Sequence, residues 1–168
     1  MSFKAELRAS LGWNWIEGAV DNDRLDYAQS LLGGSGAGQA DAVWFENDQS
    51  LTGGTSTIVD LANLPRVLLG SNHCIVFDLI KVILLINRNT EGASLVLGGA
   101  ETEPWAEPFG GADQQVQVPP DSPLLLSNRS AGWPVDSAHH HLKITASGGD
   151  VTYDLVILGV LDPELSYA

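Results

Sequence analysis

His141-Leu-Lys-Ile-Thr-Ala146, then Ser147-Gly-Gly-Asp150, then Val151-Thr-Tyr-Asp-Leu-Val-Ile-Leu158: two apolar–polar alternating runs flank a glycine pair near the end of the chain. Alternation of period two places successive side chains on opposite faces of an extended backbone, so one face of each run is suited to a core. Two such runs joined by a short glycine turn predict a β-hairpin.

The same grammar extends upstream. Phe3 to Leu11 alternates, Ala42-Val-Trp-Phe-Glu46 is strand-like, and Ser56 to Leu61 follows the turn Thr52-Gly-Gly-Thr55. Cys74 to Asn87 is the most apolar segment and predicts a central strand buried on both faces and bent near Asp78. Ser94 to Leu97 stops at Gly98-Gly99, Gln114 to Val118 at Pro119-Pro120, and Leu124 to Leu126 begins after Pro123. Asp21 to Leu32 reads two ways. Leu25, Ala28 and Leu31/Leu32 share a helical face behind an Asp23 N-cap, while Leu25, Tyr27, Gln29 and Leu31 alternate. Helix is the favoured reading and strand the alternative. Many short strands with at most one short helix predict an all-β single domain, an antiparallel β-sandwich or jelly roll. Residues 33–168 are its core, and residues 1–32 form an N-terminal arm at an interface.

Composition narrows the partners. Across 168 residues there are 21 acidic side chains against 8 lysines and arginines, a net charge of −13. Such a chain is repelled by phosphate backbones and acidic lipid, so neither nucleic acid nor membrane is an expected partner. A single cysteine, Cys74, rules out an intrachain disulfide, and its apolar surroundings predict a buried structural thiol. The N-terminal Met1-Ser-Phe-Lys-Ala-Glu6 has no apolar leader, which predicts synthesis in a cytoplasm.

Candidate chemistry is sparse. In Ser137-Ala-His-His-His-Leu-Lys-Ile144 an extended backbone would put His139 and His141 on one face and His140 on the other. Two imidazoles need further ligands to hold zinc, and His73 and Cys74 are the distant candidates, so no metal site is assigned. Asp21-Asn-Asp-Arg-Leu-Asp26 starts like a calcium loop but has Asp26 and Leu32 where glycine and glutamate are required. Glu101, Glu103 and Glu107 among Pro104, Trp105 and Pro108 read as a proline-broken surface loop rather than paired catalytic carboxylates, and Asp136 joins them only in a hydrolase reading. Gly33 to Gly38 lacks the lysine and helix of a phosphate loop and reads as a turn. No catalytic residue and no cofactor are assigned. Trp13 and Trp15, on one strand face, and Trp105 and Trp133, in loops, suit core packing or an interface, and with His139 and His141 they are the candidate interface residues. Exposed Trp105 and Trp133 also carry an alternative, a carbohydrate- or receptor-binding module of a tail fibre or spike.

Several blocks occur in a familiar order. Gly36 to Trp44 is followed by Leu51-Thr-Gly-Gly54 and Ile58-Val-Asp-Leu61, then Ile80-Lys-Val-Ile-Leu-Leu-Ile-Asn-Arg-Asn-Thr90 and Ala93-Ser-Leu-Val-Leu-Gly-Gly99. Pro119-Pro-Asp-Ser-Pro-Leu-Leu-Leu126, Gly132-Trp-Pro-Val135 and Gly148 to Gly159 close the series. In this order the chain resembles small structural proteins of tailed bacteriophages and prophages over about Gly33 to Gly159, departing from them at Asp121-Ser122, where they often carry glycines. The resemblance implies a non-enzymatic virion component on the capsid exterior, a head decoration or cement protein that binds the major capsid protein, and it brings no catalytic residues. A homotrimer is the expected assembly, since trimers suit the three-fold positions of an icosahedral shell. Imidazoles clustered at a subunit interface would make that assembly sensitive to mild acid.

Overall fold

The computed structural model describes residues 3–16, 20–68 and 71–163, without the side chains of 14–16, 20–22, 67–68 and 71–72. These residues are all-β, with no helix among them. The strands are β1 (Lys4–Ile16), β2 (Val20–Leu32), β3 (Ala42–Leu51), β4 (Ser56–Asp60), β5 (Leu64–Leu68), β6 (Ser71–Ile75) and β7 (Phe77–Asn87). They continue as β8 (Ser94–Gly98), β9 (Gln115–Val118), β10 (Ser122–Ser127), β11 (Trp133–Pro134), β12 (His141–Ser147) and β13 (Val151–Leu161).

Two antiparallel sheets face each other. One has the order β10-β7-β13-β3, with β11 also on β7, and the other β4-β12-β8-β9. The pairs β3 with β13, β4 with β12, β7 with β10 and β8 with β9 describe one long antiparallel ribbon rolled into two layers, the order of a jelly roll.

This order corrects the predicted hairpin. β12 pairs β4 and β8, whereas β13 pairs β7 and β3 in the opposite sheet. Residues 147–150 therefore arch across the core instead of turning within a sheet. Thr52-Gly-Gly-Thr55 makes the same crossing between β3 and β4, and the two arches lie side by side. Gly54 donates its N–H to the Ala146 carbonyl at 2.9 Å, and Gly53 donates to the Asp150 carboxylate at 2.8 Å. A methyl group on Gly53 would stand 2.7 Å from the carbonyl carbon of Gly149, so this crossing needs glycine for close approach.

The alternating residues meet in the middle. Leu142, Ile144 and Ala146 of β12 and Leu95 and Leu97 of β8 pack with Ile83 and Leu85 of β7 and Tyr153, Leu155 and Ile157 of β13. β7 is a central strand, as its composition predicts, but the break in Cys74–Asn87 falls at Val76 rather than near Asp78. Lys81, buried in β7, donates to the carbonyls of Ser130 at 3.1 Å and Ala131 at 3.0 Å, and burial pushes its ammonium pKa down. Asp154 lies buried in β13, accepts the N–H of Asp48 at 2.9 Å and pairs with Arg88. The Asp48 N–H first, and Arg88 with it, hold its carboxyl below the usual range.

Two further expectations change. Asp21 to Leu32 is not helical: β2 pairs β1 residue by residue from Lys4↔Leu32 to Ile16↔Val20. The partner strand settles a choice that local periodicity leaves open, and it makes the N-terminal arm a ribbon rather than a lone strand. Cys74 is exposed, because β6 turns Ile75 inward and Cys74 outward. In the turn between β9 and β10, Asp121 adopts a left-handed backbone, φ 50°, which aspartate tolerates better than most residues.

Candidate functional site

Two surfaces collect the residues singled out by sequence. The first is the β1–β2 ribbon. Directly opposed residues of an antiparallel pair share a face, so the register places Ala5, Leu7, Ala9, Leu11 and Trp13 beside Leu31, Gln29, Tyr27, Leu25 and Asp23. The result is one apolar stripe along the ribbon. At its base Leu7 and Leu31 pack with Val82, and with Leu125 and Leu158, on the outer face of the β7 sheet. Toward the tip the stripe is bare: Leu11 is 68% exposed and Leu25 69%, with Trp13 and Tyr27 also exposed. Trp15 stands opposite Asp21 in the register, and its side chain lies outside the described residues. The Asp21–Asp26 run does not form a calcium loop. It is strand, and Asp26 accepts hydrogen bonds from Ser10 at 2.6 Å and Arg24 at 2.7 Å.

The second surface is one end of the sandwich, where the end of β4, the loop after β8 and the start of β12 meet. The Glu103 carbonyl accepts the N–H of both His140 at 3.1 Å and His141 at 3.0 Å. Trp105 donates its backbone N–H to the His141 carbonyl at 3.0 Å, and Leu61 donates to that of His140 at 2.9 Å. Glu103 has a left-handed backbone, φ 49°, which lets the loop double back onto β12.

This stitching defeats the alternation rule for the histidines. His140 precedes the first residue of β12, so its ring does not point away from His141. The two rings lie 4.4 Å apart. The Nε2 of His140 is 3.2 Å from Glu103 Oε2 and 4.0 Å from Asp60 Oδ1, and the Nε2 of His141 is 3.7 Å from Glu103 Oε2. Both rings are fixed from behind. His140 Nδ1 bonds the Asp136 carbonyl at 3.1 Å and His141 Nδ1 the Thr102 carbonyl at 2.9 Å. His139 is separate and exposed, with its Nδ1 3.0 Å from the Asp136 carboxylate. That carboxyl is held below its usual range by the Ala138 N–H first and by His139. His73 and Cys74, the ligand partners suggested by sequence, are not part of this group. The partners are Asp60 and Glu103, which no sequence spacing connects to the histidines.

Trp105 takes the core role and not the interface or stacking role. It is 1% exposed, donates its indole N–H to the Pro134 carbonyl at 2.7 Å, and meets the half-buried Trp133 edge-on with ring centres 6.2 Å apart. It is a core residue beneath the loop, unable to act as an exposed stacking platform or to reach a partner. Compared with protein families, curated proteins and solved structures, the chain matches no family model, no curated protein and no solved structure.

Proposed function

We propose that the chain is a non-enzymatic structural protein of a bacteriophage virion, a head decoration protein that sits on the capsid exterior, binds the major capsid protein and associates as a homotrimer. The observation that carries this reading is the β1–β2 ribbon, whose apolar stripe is covered by its own body at Leu7 and Leu31 and left bare at Leu11, Trp13, Leu25 and Tyr27. A contiguous exposed apolar surface on an otherwise charged protein marks a contact with another chain. Such a stripe has the shape to lie against a neighbouring subunit or the shell beneath it, with Trp13 and Tyr27 as aromatic anchors.

Other features agree. A net charge of −13 favours the outside of a capsid over a DNA-filled interior. Jelly rolls serve in capsid proteins and in lectins, so architecture alone does not decide. The ordered sequence blocks and the ribbon favour the virion role, while burial of Trp105 removes the main motive for glycan stacking.

The test is the mass of the purified protein in solution together with its abundance in virions. Trimers, and a copy number comparable to that of the capsid's three-fold positions, are expected. A monomer absent from purified particles would overturn the proposal.

A further inference from the structure

We propose that Asp60, Glu103, His140 and His141 form a binding site for a zinc-class divalent ion that ties three chain segments together at one end of the jelly roll. A backbone carbonyl only accepts, so the bonds from His140 Nδ1 to Asp136 and from His141 Nδ1 to Thr102 require a proton on each Nδ1. In the neutral ring the lone pair then resides on Nε2. Both Nε2 atoms point at carboxylate oxygens, which are themselves acceptors, at 3.2, 3.7 and 4.0 Å. Lone pairs facing lone pairs at these distances call for a cation between them, either an extra proton on an imidazole or a metal ion.

The spacing suits the metal. An ion with ligand bonds of about 2.0–2.1 Å in tetrahedral coordination sets its ligand atoms about 3.3 Å apart. The ligand atoms of Asp60, His140 and His141 already lie within 4.8 Å of one another, and Glu103 Oε2 faces both imidazoles. Bringing Asp60, His140 and His141 to that spacing needs no pair to close by more than about 1.5 Å, in side chains that are partly exposed. Imidazole held from behind by a carbonyl is the usual outer-shell support of a metal-bound histidine. Two imidazoles with two carboxylates suit zinc. Magnesium and calcium prefer oxygen alone, and copper(I) prefers sulfur. The backbone of the site is built without the ion, since Glu103, Leu61 and Trp105 hydrogen-bond the two histidines in place.

The experiment is calorimetric titration of the EDTA-dialysed full-length protein with zinc chloride, and separately with magnesium chloride. One zinc per chain and no magnesium binding are expected. His140→Ala, His141→Ala and Glu103→Gln should each weaken zinc by at least about tenfold, while His139→Ala and His73→Ala leave it unchanged. NMR of the unmutated protein needs no variant: zinc should shift the ring protons of His140 and His141 and leave those of His139 and His73 in place. No stoichiometric binding, or binding that follows His139 or His73 instead, would overturn the site.

Discussion

The base and the tip of the β1–β2 ribbon are built from the same residue types in the same alternation, yet they have opposite surroundings. Leu31 is 1% exposed against the β7 sheet, and Leu25, six residues away on the same face of the same strand, is 69% exposed. Period-two patterning determines which face of a strand is apolar. It says nothing about how far along the strand the covering surface extends. Where the chain's own body ends, the apolar stripe continues uncovered at Leu11 and Leu25, and the proposed assembly role would supply its cover from another molecule. That is the physical content of the assembly role proposed for this protein.

Substitutions along the ribbon sharpen the contrast, and the largest effect belongs at the base. Leu31→Ala removes side-chain volume from a closed site and is expected to cost about 3 kcal/mol in denaturant unfolding. A change within about 0.5 kcal/mol would mean that the base is no more anchored than the tip. Zinc should act on the body alone. At a free concentration of a hundred times Kd, one bound ion stabilises by about 2.7 kcal/mol, roughly a 5–10 °C rise in Tm for a chain of this size. Scanning calorimetry of the His140→Ala protein should show no such rise.

Asp154 gives the next effect, again in the body. Asp154→Asn loses a charge-assisted pair with Arg88 and weakens the bond from Asp48, costing about 2 kcal/mol at neutral pH. Its folded pKa is depressed, so the carboxylate's stabilisation is complete above the unfolded value of about 3.9 and is lost as pH falls through the lower folded value. The gap between wild type and Asp154→Asn, measured in urea, should therefore narrow below about pH 4. A gap that widens in acid would contradict the assignment. Smallest in stability is Leu25→Asp at the tip, expected within about 0.5 kcal/mol of wild type when both are compared at a concentration dilute enough to be monomeric, with its consequence in assembly.

Much of the strand inventory was legible because buried sheet faces demand alternation and the crossings demand glycine. Strand partners were not. A hairpin and an arch both read as strand, Gly-Gly, strand; only the covering of Leu142 and Ile144 by Leu155 and Ile157 from the opposite sheet distinguishes them. The β5–β6 ribbon escaped because Pro65 interrupts one strand and Ser71-Asn-His-Cys74 makes the other polar. The helix expected at Asp21–Leu32 failed because both periodicities fit, and the choice rested with β1. At the histidines, local geometry misled in the other direction. His140 lies before the strand begins, and its acidic neighbours arrive from Asp60 and Glu103, positions that only the folded topology brings together.

The measurement closest to the central claim is light scattering on wild-type protein and on Leu11→Asp/Leu25→Asp, paired with the Tm of each. A wild-type mass of three chains of 17.9 kDa whose Tm rises with protein concentration, falling in the variant to one chain that stays folded with a concentration-independent Tm, is the predicted result. A monomeric wild type, or a variant that assembles as wild type does, would show that the bare stripe is not the contact surface.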